Sequence, residues 1–119
     1  MPSTPHLPVD AIAKRILFIR GQRVMLDTDL AELYGVETRV FNQAVKRNAE
    51  RFDDDFMFQL TADEWEALRS QIVTLKTGRG QHRKYLPYVF TEHGAYMAGN
   101  VLNSPRAIAV SKFIVRAFI

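Results

Sequence analysis

Between Phe56 and Ile72 the hydrophobic period changes in one step from that of a strand to that of a helix, so the chain must mix the two. Phe56-Met57-Phe58-Gln59-Leu60 alternates, with Phe56, Phe58 and Leu60 on one side, as a strand does. Thr61-Ala62-Asp63-Glu64 then has the form of a capping box, in which the threonine oxygen and the glutamate three residues on each accept an orphan backbone N–H. Trp65, Leu68 and Ile72 follow at helical spacing. None of the 119 residues is a cysteine, which removes disulfide frameworks, thiol nucleophiles and thiolate zinc sites together. A chain of this length fits one domain with a core of its own and falls short of a multidomain enzyme.

The flanking segments extend the same mixture. The first eleven residues hold three prolines and no apolar periodicity, so residues 1–13 are expected to be a flexible lead-in and residues 14–119 the domain. Ile16-Leu17-Phe18-Ile19-Arg20 and Arg23-Val24-Met25-Leu26 are two apolar runs around Gly21-Gln22, the composition of a type II′ hairpin turn. Asp27-Thr28-Asp29 supplies capping residues for a short helix through Tyr34, stopped by Gly35. A second helix is predicted from Thr38 to Asn48, with Val40, Phe41, Ala44 and Val45 on one face and Arg39, Asn42, Gln43, Lys46 and Arg47 on the other. Leu86-Pro87-Tyr88-Val89-Phe90 reads as a strand pairing with 56–60, its proline suiting the first residues or a sheet edge. Thr91 can cap a helix to Leu102, and Ser104-Pro105 starts the last one. The expected fold is α+β: helix-turn-helix-like helices, small antiparallel hairpins and a C-terminal apolar helix.

Charge is distributed unevenly along this chain of net charge +3. Residues 1–68 carry eight Lys/Arg against twelve Asp/Glu, net −4, whereas residues 69–119 carry eight Lys/Arg against Glu92 alone, net +7. Such asymmetry suits a polyanionic partner, and it equally suits a basic half that complements the acidic half of the same fold. No run reaches the roughly 18 apolar residues of a membrane span, and the first residues lack the basic and apolar regions of a signal peptide, so a cytoplasmic protein is expected.

A short helix, a glycine turn and a polar-faced second helix form the layout of a helix-turn-helix. Arginine can bond guanine bidentately and Asn or Gln can bond adenine, so Arg39, Asn42, Gln43, Lys46 and Arg47 suit base reading. An ordinary solvated helix face places the same residue types at the same spacing. Arg20 and Arg23 flank the hairpin turn, and Lys76, Arg79, Arg83 and Lys84 lie in a glycine-containing basic loop; all six are candidates for holding phosphate. Gly78-x-Gly80 lacks the spacing of a nucleotide-phosphate loop. Asp53-Asp54-Asp55 reads as a solvated turn, and His6, His82 and His93 form no ligand pair and no nucleophile-base set, so neither metal, cofactor, small-molecule substrate nor catalysis is expected.

The last helix is apolar around most of its circumference, with a polar track through Lys112 and Arg116. Phe113, Ile114 and Phe118 are therefore candidates for a homodimer or partner contact, or for packing against a further C-terminal region. The alternative to DNA binding is accordingly a protein-interaction module that holds a regulator through this helix.

Val24-Met25-Leu26-Asp27-Thr28-Asp29-Leu30-Ala31-Glu32-Leu33-Tyr34-Gly35-Val36 resembles the opening of the ORF6N domain, a relative of the KilA-N DNA-binding domain. Arg51 to Thr61, Pro87 to Ala95 and Ser104 to Ile108 resemble its later blocks, in the same order. The resemblance implies a double-stranded DNA-binding module of phages, prophages and other mobile elements, used in transcription regulation or as an antirepressor component, without catalytic activity. It carries over no individual DNA-contacting residue.

Overall fold

Val24, Met25 and Leu26 are consecutive and all buried, which in a strand requires cover on both faces. The computed structural model, which describes residues 9–72 and 85–119, shows the two covers. A four-stranded antiparallel sheet has the order β1-β2-β4-β3, built from β1 (Leu17–Ile19), β2 (Gln22–Leu26), β3 (Met57–Gln59) and β4 (Tyr88–Phe90). The helices are α1 (Val9–Ala13), α2 (Asp27–Tyr34), α3 (Thr38–Arg47), α4 (Ala62–Ile72), α5 (Glu92–Leu102) and α6 (Pro105–Phe118), with a 3₁₀ turn at Ala49–Arg51. The fold is thus α+β.

Side chains alternate across each strand. Val24, Leu26, Phe58 and Val89 point to one face and meet Leu60, Trp65 and Leu68, so α4 covers that side. Met25, Met57, Tyr88 and Phe90 point to the other, where they meet Leu30, Tyr34, Phe41, Ala95, Val110 and Ile114 from α2, α3, α5 and α6. Each large side chain buried this way contributes roughly 1.5–3 kcal/mol.

The expected pairing of 56–60 with 86–90 is present, with Met57 opposite Phe90, Phe58 opposite Val89 and Gln59 opposite Tyr88. β4 also pairs with β2, through Met25 and Phe90, and so lies inside the sheet. Pro87 escapes the ladder by preceding the strand, and its carbonyl accepts the Leu60 N–H at 3.0 Å. Phe56 departs from the expected alternation. It stands in the turn before β3 and packs in the cluster opposite to that of Phe58 and Leu60.

Two local expectations need correction. The hairpin turn is Arg20-Gly21, one residue earlier than Gly21-Gln22, because Ile19 pairs with Gln22. Both turn residues have positive φ, 55° and 75°, as a type I′ turn requires, rather than the single positive φ of type II′. The segment before residue 14 is also not wholly a lead-in. Val9–Ala13 is a helix with Ile12 buried in the core against α6, five residues being too few to display a period.

Most helix boundaries follow their local signals, but α2 begins at Asp27 itself, with Leu26 in the N-cap position and no side-chain cap, so Asp27-Thr28-Asp29 form its first turn and do not cap it. Thr61 Oγ1 accepts the Glu64 N–H at 3.1 Å and Glu64 Oε1 accepts the Thr61 N–H at 2.8 Å, completing the capping box of α4. Thr91 and Ser104 cap α5 and α6, with Pro105 in the first turn of α6. Gly35 ends α2 at φ 77°, a left-handed conformation in which Cβ is costly. No described helix is long and apolar enough to cross a membrane.

Candidate nucleic-acid interface

The polar face of α3 is set by what lies beneath it. Phe41 and Val45 are buried, and Phe41 stacks with Tyr34 at 6.4 Å between ring centres and meets Phe90 edge-on at 5.3 Å. Phe52 meets the same Phe90 ring edge-on at 6.1 Å. Tyr34 in turn donates its hydroxyl to the Ala95 carbonyl at 2.6 Å, and burial pushes the phenol well above its ordinary range, so it remains a neutral donor. This chain of rings fixes α3 to α2, α5 and the sheet. It turns Arg39, Gln43, Lys46 and Arg47 outward, all of them exposed.

These exposed residues are not equivalent. Arg39 pairs with Glu37 at 3.3 Å, both side chains being about three-quarters exposed, so water and salt screen the pair and it is readily exchanged. Gln43, Lys46 and Arg47 have no hydrogen-bond or ion-pair partner among the described residues. Asn42 is diverted from the base-reading role expected of it. It is half-buried and donates to the wholly buried Asp27 carboxylate at 3.1 Å, while the other carboxylate oxygen accepts the Thr28 N–H at 2.7 Å. Asn42 therefore positions α3 on the first turn of α2.

Two exposed groups, one in α3 and one in the turn after it, escape sequence reasoning. Arg51, in the 3₁₀ turn that follows α3, is exposed and also lacks a partner among the described residues. The sequence holds only a weak signal for it, because Arg51 lies beyond the last helical repeat. Val40, assigned from periodicity to the buried face, is 37% exposed. Below this surface, between α3 and the β3–β4 edge, opens a cleft of about 700 Å³ whose walls include Asp27, Lys46, Phe52, Gln59 and Tyr88.

Arg20 and Arg23, expected to hold phosphates, are engaged elsewhere. Arg20 Nε and its terminal nitrogen donate to both Glu64 carboxylate oxygens, at 2.8 and 3.0 Å, and the guanidinium lies 4.2 Å above the Phe58 ring. The pair ties the hairpin turn, in which Arg20 has φ 55°, to the start of α4. Arg23 donates to the Phe118 carbonyl at 2.9 Å, satisfying an orphan acceptor at the end of α6. Lys76, Arg79, Arg83 and Lys84 lie outside the described residues.

Glu64 is held at about 2, below the ordinary carboxylate range, chiefly by its hydrogen bond from Arg20 and then by the Thr61 N–H. Because the folded value is the lower one, the contribution of Glu64 to stability is complete above the unfolded value near 4.5 and fades as pH falls toward 2. Glu64→Gln, which can keep the capping hydrogen bond, is expected to lower the urea midpoint at pH 7. Its deficit should shrink steadily between pH 4.5 and 2. A deficit independent of pH would assign the effect to the cap and not to the charge.

The last helix is the clearest disagreement with expectation. Ile114 is fully buried and Phe118 is 5% exposed, so both belong to the core and offer no surface to a partner. The wide apolar circumference of α6 serves α1, α2 and α5, which pack around it. Phe113 is half-buried beneath the Arg116 guanidinium, 5.5 Å from its ring centre.

Asp53, Asp54 and Asp55 form an exposed turn in which Asp53 accepts the Asp55 N–H. Among the described residues no group of three His, Asp or Glu side chains could hold a metal ion. A family model described as the ORF6N domain matches residues 14–101. No curated protein and no solved structure matches the chain.

Proposed function

The chain belongs to the ORF6N domain family, and on that premise we propose that it is a sequence-specific double-stranded DNA-binding module. The observation that carries this reading is the surface of α3: Gln43, Lys46 and Arg47 project from a helix braced by buried aromatic rings and have no partner among the described residues. The Gly35–Glu37 turn between α2 and α3 completes the helix-turn-helix layout. In this reading Gln43 and Arg39 face base edges, with Arg39 exchanging Glu37 for DNA. Lys46, Arg47 and Arg51 form the cationic end of the same surface and bind phosphate; the basic segment with Lys76, Arg79, Arg83 and Lys84 binds further phosphates.

The biological role that fits is a phage- or prophage-type transcriptional regulator or antirepressor component in the cytoplasm of a bacterial host, acting by binding and without catalysis. The alternative, capture of a protein regulator through α6, is weakened because Ile114 and Phe118, two of the three side chains it needs, lie in the core.

Binding to a duplex should weaken linearly on a log-log plot as salt is raised. Replacing Lys46, Arg47 and Arg51 together by alanine is expected to flatten that slope by about 3 units, one for each phosphate no longer neutralised. Binding that ignores salt would remove the DNA reading. An unchanged slope in the triple variant would remove this surface from it.

A further inference from the structure

The exposed stripe of α3 contains one apolar residue, and it lies among the polar groups that suit base reading. Val40 is 37% exposed and belongs to neither set of buried core residues. It precedes Gln43 by three residues and Arg47 by seven, and so shares their side of the helix. Phe41 and Val45 on the same helix turn inward.

Val40 can neither pair with phosphate nor hydrogen-bond a base edge. The major groove offers a β-branched side chain one complementary feature, the C5-methyl group of thymine. Three residues of helix rise about 4.5 Å, close to the roughly 3.4 Å between successive bases of a strand, so a helix lying along the groove would bring Val40 and Gln43 to the same or adjacent base pairs. Glutamine bonds adenine through its N6 and N7.

Resting on the DNA-binding reading above, we propose that Val40 is a specificity-determining residue that touches a thymine methyl beside the base read by Gln43, giving α3 an A·T-containing target step. Removing that methyl group from the base abolishes the apolar interaction, even though every hydrogen bond of the base pair remains.

The test uses a duplex enriched from random DNA by the whole protein, together with a set in which each thymine in turn is replaced by deoxyuridine. Wild type is expected to lose about fourfold in affinity at one or two positions, the equivalent of burying one methylene-sized group. Val40→Ser should bind the parent duplex more weakly by the same factor, show no further loss at those positions, and keep the wild-type salt slope and helical circular dichroism. Enrichment of a duplex in which no thymine methyl matters to wild type would overturn the role of Val40 and leave DNA binding standing. Equal uracil sensitivity in Val40→Ser and wild type would do the same, whereas failure to enrich any duplex would overturn both.

Discussion

Gly94→Ala is expected to lower the stability of this domain by about 3 kcal/mol, the upper part of the usual range for overpacking, read as a fall in the urea midpoint with an unchanged slope. The added methyl group would land on the carbonyl oxygen of Phe56. That oxygen cannot move aside cheaply. It accepts the Thr91 N–H at 3.0 Å, and the Thr91 hydroxyl donates to the neighbouring Asp55 carbonyl at 2.8 Å while capping the helix that contains Gly94. The start of α5 and the turn before β3 thus form one tightly packed corner, and any shift of α5 would break the cap. Gly21→Ala is the informative control. Nothing lies within 4 Å of its added carbon, so its cost should be limited to the positive φ of the turn, about 1 kcal/mol. Similar losses at the two positions would refute the steric account.

Phe41→Ala is expected to cost about 3–5 kcal/mol, the range for removing a fully buried phenylalanine. A domain of this kind has about 5–15 kcal/mol in all, so the variant would stand near the edge of folding. The same substitution should also weaken the DNA binding proposed above, although Phe41 touches no solvent, because its ring is what holds α3 against Tyr34 and Phe90. The coupling can be measured. Phe41→Ala and Tyr34→Ala combined should cost less than the sum of the two single losses, since either one already disrupts the stack. Strict additivity would show that the rings act independently and that α3 is held by other interactions.

Much of the architecture is legible in the residue order. The capping box at Thr61–Glu64, the stops and starts at Gly35, Thr91 and Ser104-Pro105, and the pairing of 57–59 with 88–90 all appear as expected. Each rests on interactions within a turn or on an alternation that a few residues display. The departures have a common origin. Arg20-Gly21 replaces Gly21-Gln22 as the hairpin turn because strand register, not glycine position, sets the loop. Val40 faces outward although its neighbours in the repeat do not, because the ring stack sets the rotation of α3. Ile114 and Phe118 look like surplus apolar surface because a sequence shows how wide an apolar face is and not how many helices cover it.

The uneven charge makes the same division. Sequence alone determines that residues 1–68 and 69–119 differ in sign, that the elements from residue 16 onward are of both kinds and in this order, and that the chain carries the ORF6N pattern. These are properties of composition, local propensity and spacing. Tertiary structure decides which charges remain available to a partner. Arg20 is consumed by a glutamate 44 positions away and Arg23 by a carbonyl 95 positions away. Asn42 is consumed by an aspartate in the preceding helix, while Gln43, Lys46, Arg47 and Arg51 are left without a partner among the described residues. A hydrogen bond acts over about 3 Å whatever the separation along the chain, so which polar groups are neutralised is settled only when distant segments meet.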